Sequence, residues 1–486
     1  MNVAVELVRR SAENIFGSTL KGELDMQLRR YFVEGLAHAS YLVGADGEAA
    51  VVDPKRDVDD YLADAERLGL KITVVLNTHP HADFASGFPE LAARTGAKIY
   101  TSYRAPVSYD RVPARDGQHI RVGSLEIEVL ETPGHSPDSL SFLVWDSGQP
   151  TTLFTGDLLF VNDVGRPDLR DAEADPRALA VQLYDSLFNK ILALPGNVKV
   201  YPAHGAGSLC GRALGSAPFT TLEEELRSNW AAQLRDLSEF VKQMTADLPD
   251  RPAYFAYDVA VNLRGARPLT ELPSLHALTE SELTEAARAG AGVIDTRPAP
   301  LFSAGHFPGS LNIELGSALF STWTGFLIPS GTPIALVVAS ADKAAKARLE
   351  LARIGFDNVL GYTEADSLKE TRQLSQLSVC DLKDALQRGD APQVLDVRTP
   401  REWDSGHIQG ARHIPLAKLA GDLNQLHKGA SLAVICGSGY RSSIAASLLL
   451  ARGFAGVQNV MSGMEAYQTA KCVEWQAADL VFRPTG

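Results

Sequence analysis

The strongest constraint on the fold is a long internal repeat in the second half of the sequence. The segments "VIDTRPAPLFSAGHFPG", which begins at Val293, and "VLDVRTPREWDSGHIQG", which begins at Val394, share an Asp-x-Arg motif and a later Gly-His pair at the same spacing. The copies are separated by the length of a small domain, far more than a solenoid repeat. Each copy alternates apolar strands with helical segments, which predicts two α/β domains with largely parallel sheets. Polar and proline-bearing stretches between the repeats place the predicted domains at 1–265, 266–372 and 373–486.

Length and composition fit this multidomain picture. The chain has 486 residues and is 45% hydrophobic and 22% charged, as ordinary globular proteins are. Its net charge of −13 argues against a nucleic-acid surface, which needs concentrated Lys and Arg. No apolar run reaches the roughly 18–20 residues of a membrane span, and the N-terminal segment lacks the apolar stretch of a secretory signal. We therefore expect a cytoplasmic protein that binds neither nucleic acid nor membrane.

The cysteines are few and widely spaced: Cys210, Cys380, Cys436 and Cys472. This spacing is not that of a disulfide framework. It favours reactive thiols in a reducing compartment over structural disulfides.

The first 265 residues carry potential metal ligands at the ends of four predicted strands. The strand "ITVVLN" leads into His79, His81 and Asp83, which form an HxHxD motif. Three later strands end in the same way, at His135, Asp157 and His204. Strand ends are rigid supports, and neighbouring strands bring together residues that are distant in sequence. The pattern therefore predicts a metal site.

Two ligand sets are compatible with the spacing. The first, a three-histidine zinc site with an open fourth position, consists of His79, His81 and His135. The second, the two-histidine, one-carboxylate arrangement of non-haem Fe(II), consists of His79, His135 and Asp157. Spacing alone leaves both open.

The segments "GHSPDSLSF", "TGDLLFVNDVGRPDL" and "YPAHGAGSLCG" resemble the persulfide dioxygenase branch of the metallo-β-lactamase superfamily. The resemblance covers about residues 24–265 and implies an αββα sandwich with one Fe(II) per chain. It implies iron ligands at His79, His135 and Asp157. It also implies neighbouring residues that do not bind metal at His81, Asp83 and His204. Phe84 stands where two-metal members of the superfamily have histidine, so the second metal site loses a ligand.

Two further residues of this domain are candidates for contact with the thiol substrate. Arg166, in "DVGRPD", is suited to bind a carboxylate or phosphate, and a salt bridge that holds its loop is the alternative. Cys210 follows His204 by a short loop and is placed to approach the metal or accept a persulfide, with simple packing as the alternative.

The third domain contains a second candidate site. Cys436 directly follows the apolar strand "SLAVI", and the loop leads into the helix "IAASLLLARGF". Amides at a helix N-terminus, together with an arginine, stabilise a sulfur anion. The predicted loop residues are Cys436, Gly437, Ser438, Gly439, Tyr440, Arg441 and Ser442. Residues 380–475 resemble a rhodanese domain, in which the cysteine carries a persulfide, with Cys436 and Arg441 as the catalytic pair.

The middle copy, residues 276–372, keeps the rhodanese-like "DTR" and "AGHFPG" motifs but contains no cysteine. It has "VVASADKAAKA" in place of the loop. We interpret it as a catalytically silent scaffold.

A helix is predicted at the end of the first domain. Thr221 and Glu224 form a capping-box pattern, and apolar residues then recur at helical spacing in one stretch, at Leu222, Leu226, Trp230, Leu234, Leu237 and Val241. This pattern predicts one continuous helix.

The expected function joins the two sites. The iron domain would oxidise a low-molecular-weight persulfide with O₂ to sulfite and thiol, and Cys436 would transfer sulfane sulfur to or from sulfite and thiosulfate. Two alternatives remain: a glyoxalase II-type thioester hydrolase, and a non-catalytic sulfur carrier that docks partners. A homo-oligomer is also expected.

Overall fold

A computed structural model describes residues 26–169, 175–246, 248 and 251–469. The first domain contains two six-stranded sheets. In the first sheet the strands lie in chain order: β1 Gln27–Val33, β2 His38–Ala45, β3 Glu48–Val52, β4 Lys71–Leu76, β5 Lys98–Ser102 and β6 Val112–Ala114. Strands β2 and β3 form a hairpin, in which they pair antiparallel with Ala45 opposite Glu48.

The second sheet has a mixed order, β14-β13-β10-β9-β8-β7. Its strands are β7 His119–Val122, β8 Leu125–Glu131, β9 Leu140–Asp146, β10 Gln149–Gly156, β13 Lys199–Pro202 and β14 Thr220–Thr221, while the short strands β11 Leu159–Phe160 and β12 Asp163–Val164 pair separately. The single parallel pair of this sheet among the described residues, β10 with β13, brings the ends of these two strands to the same edge.

The two sheets pack face to face and helices cover their outer faces. Buried Val43, Val129 and Phe142 belong to the core between the sheets. The helices of this domain are α1 Asp59–Arg67, α2 Phe88–Thr95, α3 Pro176–Asp185, α4 Leu222–Ser228 and α5 Leu237–Thr245. Separate apolar clusters lie under α1 with α2 and under α3 with α5. The predicted αββα sandwich is confirmed.

The continuous helix predicted from Leu222 to Val241 is wrong. Helix α4 ends at Ser228, a short 3₁₀ turn spans Ala231–Gln233, and α5 begins at Leu237. The interruption allows the buried Asn229 side chain to donate to the Asp163 carbonyl, and Asp236 caps α5 by accepting from Glu239 N. Tertiary hydrogen bonds therefore override the helical periodicity.

The second and third domains are α/β domains with parallel sheets, as predicted. The middle sheet has the order β16-β15-β17-β18, with β15 Gly292–Asp295, β16 Leu311–Asn312, β17 Ile334–Val338 and β18 Val359–Glu364. The third sheet has the order β19-β23-β22-β20-β21, with β19 Ser375–Leu377, β20 Gln393–Asp396, β21 Arg412–His413, β22 Ser431–Ile435 and β23 Gly456–Val460.

Helices surround both sheets. In the middle domain they are α7 Glu280–Arg288, α8 Ala299–Ala304, α9 Phe320–Leu327 and α10 Ala341–Ala352, and in the third domain α11 Val379–Arg388, α12 Pro400–Asp404, α13 Leu416–Leu419, α14 Tyr440–Ala451 and α15 Gly463–Thr469. The helix α6, Tyr254–Arg264, leads from the first domain to the second and is called the linker helix below.

The repeated motifs occupy equivalent places in the two copies. Arg297 pairs with Asp295, and Arg398 pairs with Asp396, in both cases at the end of a central strand. His306 and His407 each stack on an aromatic ring four residues earlier. The Asp-x-Arg and Gly-His motifs are therefore structural features of each repeat.

The cysteines differ from the expectation in one respect. Cys210 and Cys436 are free and buried, but Cys380 is disulfide-bonded. The expectation of unpaired thiols is wrong for Cys380, because separation along the chain does not set the distance between two sulfur atoms in space.

Within the described ranges, no helix is both long enough and apolar enough to cross a membrane.

Candidate functional site

The four ligand-bearing strand ends of the first domain meet in one buried place. His79 follows β4, His135 follows β8 and Asp157 directly follows β10. Their ligand atoms all lie within 4.8 Å of one another. Gly156 has φ +54, and a Cβ there would lie 2.6 Å from Thr78 Oγ1, so this close approach of the Asp157 strand to the His79 loop requires glycine.

Hydrogen bonds from outside the ligand set orient the two histidines. His135 Nδ1 lies 3.0 Å from the Arg166 carbonyl oxygen, and His79 Nδ1 lies 3.0 Å from Thr78 Oγ1. Because the Thr78 hydroxyl donates to Asp53, it accepts from His79 Nδ1–H. Both rings therefore carry their proton on Nδ1 and present the Nε2 lone pair to the site.

The ligand atoms have the properties that a metal requires. His79 Nε2 and Asp157 Oδ2 are buried and have no hydrogen-bond partner. The two Nε2 atoms, of His79 and His135, lie 3.8 and 3.5 Å from Asp157 Oδ2. Orphaned buried acceptors are costly unless a cation satisfies them. The residues present therefore fit a metal ion.

Burial and neighbouring charges set the protonation of these groups. Burial lowers the pKa of both His79 and His135, which keeps the imidazoles neutral. Burial alone would raise the pKa of Asp157, but the surrounding imidazoles, His204 first, hold it well below its usual range. Two neutral imidazoles and a carboxylate are thus available at neutral pH.

His204 lies between two carboxylates. Its Nδ1 is 2.7 Å from Asp157 Oδ1, and its Nε2 is 2.8 Å from Asp83 Oδ2. Burial disfavours a charge on this ring, but Asp157 and Asp83 outweigh it and raise the pKa of His204 well above its usual value. His204 thereby fixes the Asp157 carboxylate and leaves Oδ2 directed at the ligand set.

His81 does not belong to that set. Its Nε2 lies 3.4 Å from Asp53 Oδ1, and the set His79, His81 and His135 is not among the groups of convergent ligands found in the described ranges. His81, Asp83 and His204 instead form a second group with ligand atoms within 4.8 Å of one another.

Phe84 fills the space beside this second group. Its ring is 1% exposed and packs 3.8 Å from the ring of His38 and 4.5 Å from the ring of His81, measured between centroids. His38, at the start of β2, is completely buried, and neither of its nitrogens has a hydrogen-bond partner. Sequence reasoning missed His38, because a single histidine beside an apolar strand carries no motif.

Arg166 and Cys210 both lie close to the ligand set. The Arg166 guanidinium pairs with Asp168 at 2.6 and 2.7 Å and is buried, which fits the loop-holding alternative. Cys210 forms a convergent group with Asp157 and His204, and burial raises the pKa of its thiol well above the usual value. Contact of either residue with substrate stays a prediction.

In the third domain, the predicted loop curls around the Cys436 sulfur. Gly439 N donates to Sγ at 3.1 Å, and Ser442 Oγ lies 3.5 Å from Sγ. Gly439 has φ +100, a conformation that favours glycine, and helix α14 begins at the next residue, Tyr440. The Gly439 amide and the positive helix end therefore face the sulfur.

The surroundings of this loop complete the site. Arg441 is held by two hydrogen bonds to Glu402, at 2.7 and 2.5 Å. The hydrogen bonds to Glu402 raise the pKa of Arg441. The Gly437 carbonyl accepts from Glu465 N. A cavity of about 650 Å³ lies between the two repeats and is bordered by Ser438, Gly439, Tyr440, Glu314 and other residues of both domains.

Glu402→Gln is expected to make Cys436 more reactive. The Arg441 hydrogen bond holds the pKa of Glu402 at about 2, so this carboxylate cancels the Arg441 charge throughout the neutral range. Glutamine keeps the capping bonds of helix α12 but removes that negative charge. We expect the rate of Cys436 alkylation by iodoacetamide at pH 6.5 to rise about 3–10-fold. Asp404→Asn, on the same helix but exposed, is the control. An unchanged rate in the Glu402 variant would contradict this account of Arg441.

Known protein families match this chain domain by domain. The metallo-beta-lactamase superfamily model matches residues 33–204, and the rhodanese-like domain model matches residues 279–364 and 378–470. The persulfide dioxygenase ETHE1 of Bos taurus is 31% identical over 241 residues, which cover 49% of this chain and 87% of that protein. This chain belongs to the metallo-beta-lactamase superfamily. Its superfamily domain is followed by two rhodanese-like domains.

Other relatives in the comparison have different names. The hydroxyacylglutathione hydrolase of Francisella tularensis subsp. novicida is 34% identical over 181 residues, 37% of this chain and 68% of that protein. The crystal structure of a metallo-beta-lactamase from Staphylococcus aureus subsp. aureus COL has a TM-score of 0.63 and 31% identity, and covers 71% of this chain and 99% of that one. Sequence similarity alone therefore does not decide between a persulfide dioxygenase and a hydrolase, and the residues of the site must distinguish these two activities.

Proposed function

We propose that the first domain oxidises a low-molecular-weight thiol persulfide with O₂ and water, giving sulfite and the free thiol. We further propose that Cys436 exchanges sulfane sulfur with sulfite and thiosulfate. Similarity to persulfide dioxygenases and the presence of rhodanese-like domains support this pairing of activities. The sulfite made at one site is the sulfur acceptor at the other.

The proposed cofactor is one Fe(II) per chain, held by His79, His135 and Asp157. Two imidazoles and one carboxylate are the ligand set of non-haem Fe(II) oxygenases. When bound, the iron would supply the redox chemistry with O₂. The protein's own part is to keep both imidazoles neutral and to fix the carboxylate through His204.

The observation that carries the proposal is the packing of Phe84. Its buried ring provides no ligand at the position next to Asp83, and His204 is engaged by Asp157 and Asp83. This arrangement favours a single metal over the two-metal centre of a hydrolase.

At Cys436, the amide of Gly439 stabilises sulfur anions. Sulfite attacks the terminal sulfur of the Cys436 persulfide, and a new S–S bond forms as the old one breaks. The electron pair of the broken bond stays on Cys436 as thiolate, so thiosulfate leaves and no external oxidant is needed. The reverse transfer uses the same atoms.

A thioester hydrolase is the second candidate. The convergent group His81, Asp83 and His204 and the similarity to hydroxyacylglutathione hydrolase favour it. Such an enzyme would use two metals, and its reaction would consume no oxygen.

The test is to measure oxygen uptake with glutathione persulfide and coenzyme A persulfide, together with metal analysis of the same sample. We expect close to one iron per chain and about one O₂ consumed per persulfide, with no cleavage of S-lactoylglutathione. Two zinc ions per chain and thioester cleavage without oxygen uptake would favour the hydrolase. Protein purified without metal would favour a sulfur carrier.

A homo-oligomer and the cytoplasmic location stay predictions.

A further inference from the structure

The loop of residues 77–87, called the metal loop below, is held by a side chain from outside the sandwich. Asn262 of the linker helix donates through Nδ2 to the carbonyls of His81 and Phe84, at 2.8 and 2.7 Å. Its Oδ1 accepts from Ser86 N at 2.9 Å. Asn262 is 2% exposed, so all of these bonds are shielded from water. One amide therefore fixes the backbone of this loop at three points.

The middle domain holds the same loop through Arg353, which caps the C-terminal end of helix α10. Its carbonyl oxygen accepts from Ala85 N at 2.8 Å. Its guanidinium makes two bonds of 2.8 Å to Asp57 of the first domain. A second pair, Arg56 with Asp357, crosses the same boundary at 2.8 Å. The middle domain thus binds both the metal loop and the neighbouring loop at 53–57.

Hydrogen bonds connect these two loops to His79, one of the proposed metal ligands. Ser86 Oγ and Gly87 N both donate to the Pro54 carbonyl, at 2.8 and 3.0 Å. The Asp53 carboxylate accepts from Thr78 N and Thr78 Oγ1, each at 2.8 Å. Since Thr78 Oγ1 orients His79, the contacts run without interruption from Arg353 to the imidazole.

Apolar packing strengthens the connection. Phe84 belongs to one buried cluster with Tyr254 and Phe255 of the linker helix and with Phe320 and Leu327 of the middle domain. Phe84 therefore anchors the metal loop to the next domain.

We propose that Asn262 and Arg353 are positioning residues for the metal site, so that the cysteine-free middle domain determines the geometry of the metal centre. The inference rests on the metal site of the proposed function. It assigns the middle domain more than the spacer role predicted from its missing cysteine. Partners that orient ligands from outside the coordination sphere typically change metal affinity by about 10–100-fold when they are lost.

The decisive variant is Asn262→Asp in the full-length protein. The side chain keeps its size, but an oxygen replaces the donating nitrogen and faces two carbonyl oxygens. We expect the dissociation constant for Fe(II), measured by competition with a chromogenic chelator, to rise about 10–100-fold. We also expect the electron paramagnetic resonance spectrum of the ferrous nitrosyl adduct to broaden. Arg353→Gln removes the ion pair to Asp57 and should raise the dissociation constant severalfold.

Asn312→Asp is the matched control. Asn312 is also 2% exposed and donates to the Arg297 carbonyl at 2.8 Å, but it lies between the two repeats and contacts Ser443. Its variant should keep the wild-type Fe(II) affinity and spectrum. Sulfur transfer at Cys436 reports whether the third domain of each variant is folded.

The proposal is overturned if Asn262→Asp and Arg353→Gln lower the melting temperature as Asn312→Asp does but retain the wild-type Fe(II) affinity and the wild-type spectrum of the ferrous nitrosyl adduct. If Asn262→Asp does not fold, Arg353→Gln alone decides in the same way. Metal affinity is measured without persulfide, so a wild-type protein that binds iron but consumes no oxygen would contradict only the proposed function.

Discussion

Cys436→Ser abolishes sulfur transfer between thiosulfate and an acceptor and leaves oxygen uptake largely intact: this is the expected result for a chain with two separate sites. The serine hydroxyl stays protonated in the amide loop and cannot carry sulfane sulfur. The loss of transfer should be complete within detection, and sulfite should replace thiosulfate as the end product of persulfide oxidation. Thiosulfate and sulfite are quantified in the same reaction as oxygen.

Cys210→Ser is the control for this variant, because among the described residues it removes the other buried free thiol while leaving the Cys436 loop unchanged. Transfer activity should persist in it. If oxygen uptake also disappears in Cys436→Ser, persulfide must reach the metal by way of Cys436, and the two sites are not independent.

His135→Ala should remove the metal and abolish oxygen uptake. The substitution deletes one of the three proposed ligands and removes the Nε2 atom that lies 3.5 Å from Asp157 Oδ2. We expect the iron content to fall from near one per chain to below about one tenth, because losing a ligand costs more than losing an orienting partner. Iron is measured on the purified protein and oxygen with an electrode.

Two further measurements test whether the effect of His135→Ala is specific to the proposed metal site. His119→Ala changes an exposed histidine of β7 and should leave iron and oxygen uptake unchanged. Sulfur transfer at Cys436 should survive in both variants. Full oxygen uptake by His135→Ala, or by a zinc-only preparation of the wild type, would exclude the proposed iron site.

Much of the architecture could be predicted because it depends on local patterns. The repeated Asp-x-Arg and Gly-His motifs indicated two similar α/β domains, and each motif forms the same contacts in both copies. The convergence of the strand ends that carry His79, His135 and Asp157 could also be anticipated, since strands in one sandwich end at a common edge. The choice of Asp157 over His81 came from the family resemblance.

The remaining parts depend on contacts between distant residues. Asn262 is 178 residues away from Phe84 in sequence, and nothing near it suggests that it binds the metal loop. The helix predicted from Leu222 is broken because Asn229 bonds to Asp163, 66 residues earlier. Periodicity records the apolar face of a helix, but it does not record which buried polar group competes for the backbone.

The apolar cluster shared by the three domains has a consequence for anyone who shortens this chain. A cut after Arg264 would leave Phe84, Tyr254 and Phe255 without the residues that cover them. Exposed apolar surface of this kind promotes aggregation. The cut that best matches the sequence motifs is therefore a poor place to divide the molecule, and an isolated first domain would need polar replacements on that face to stay monomeric.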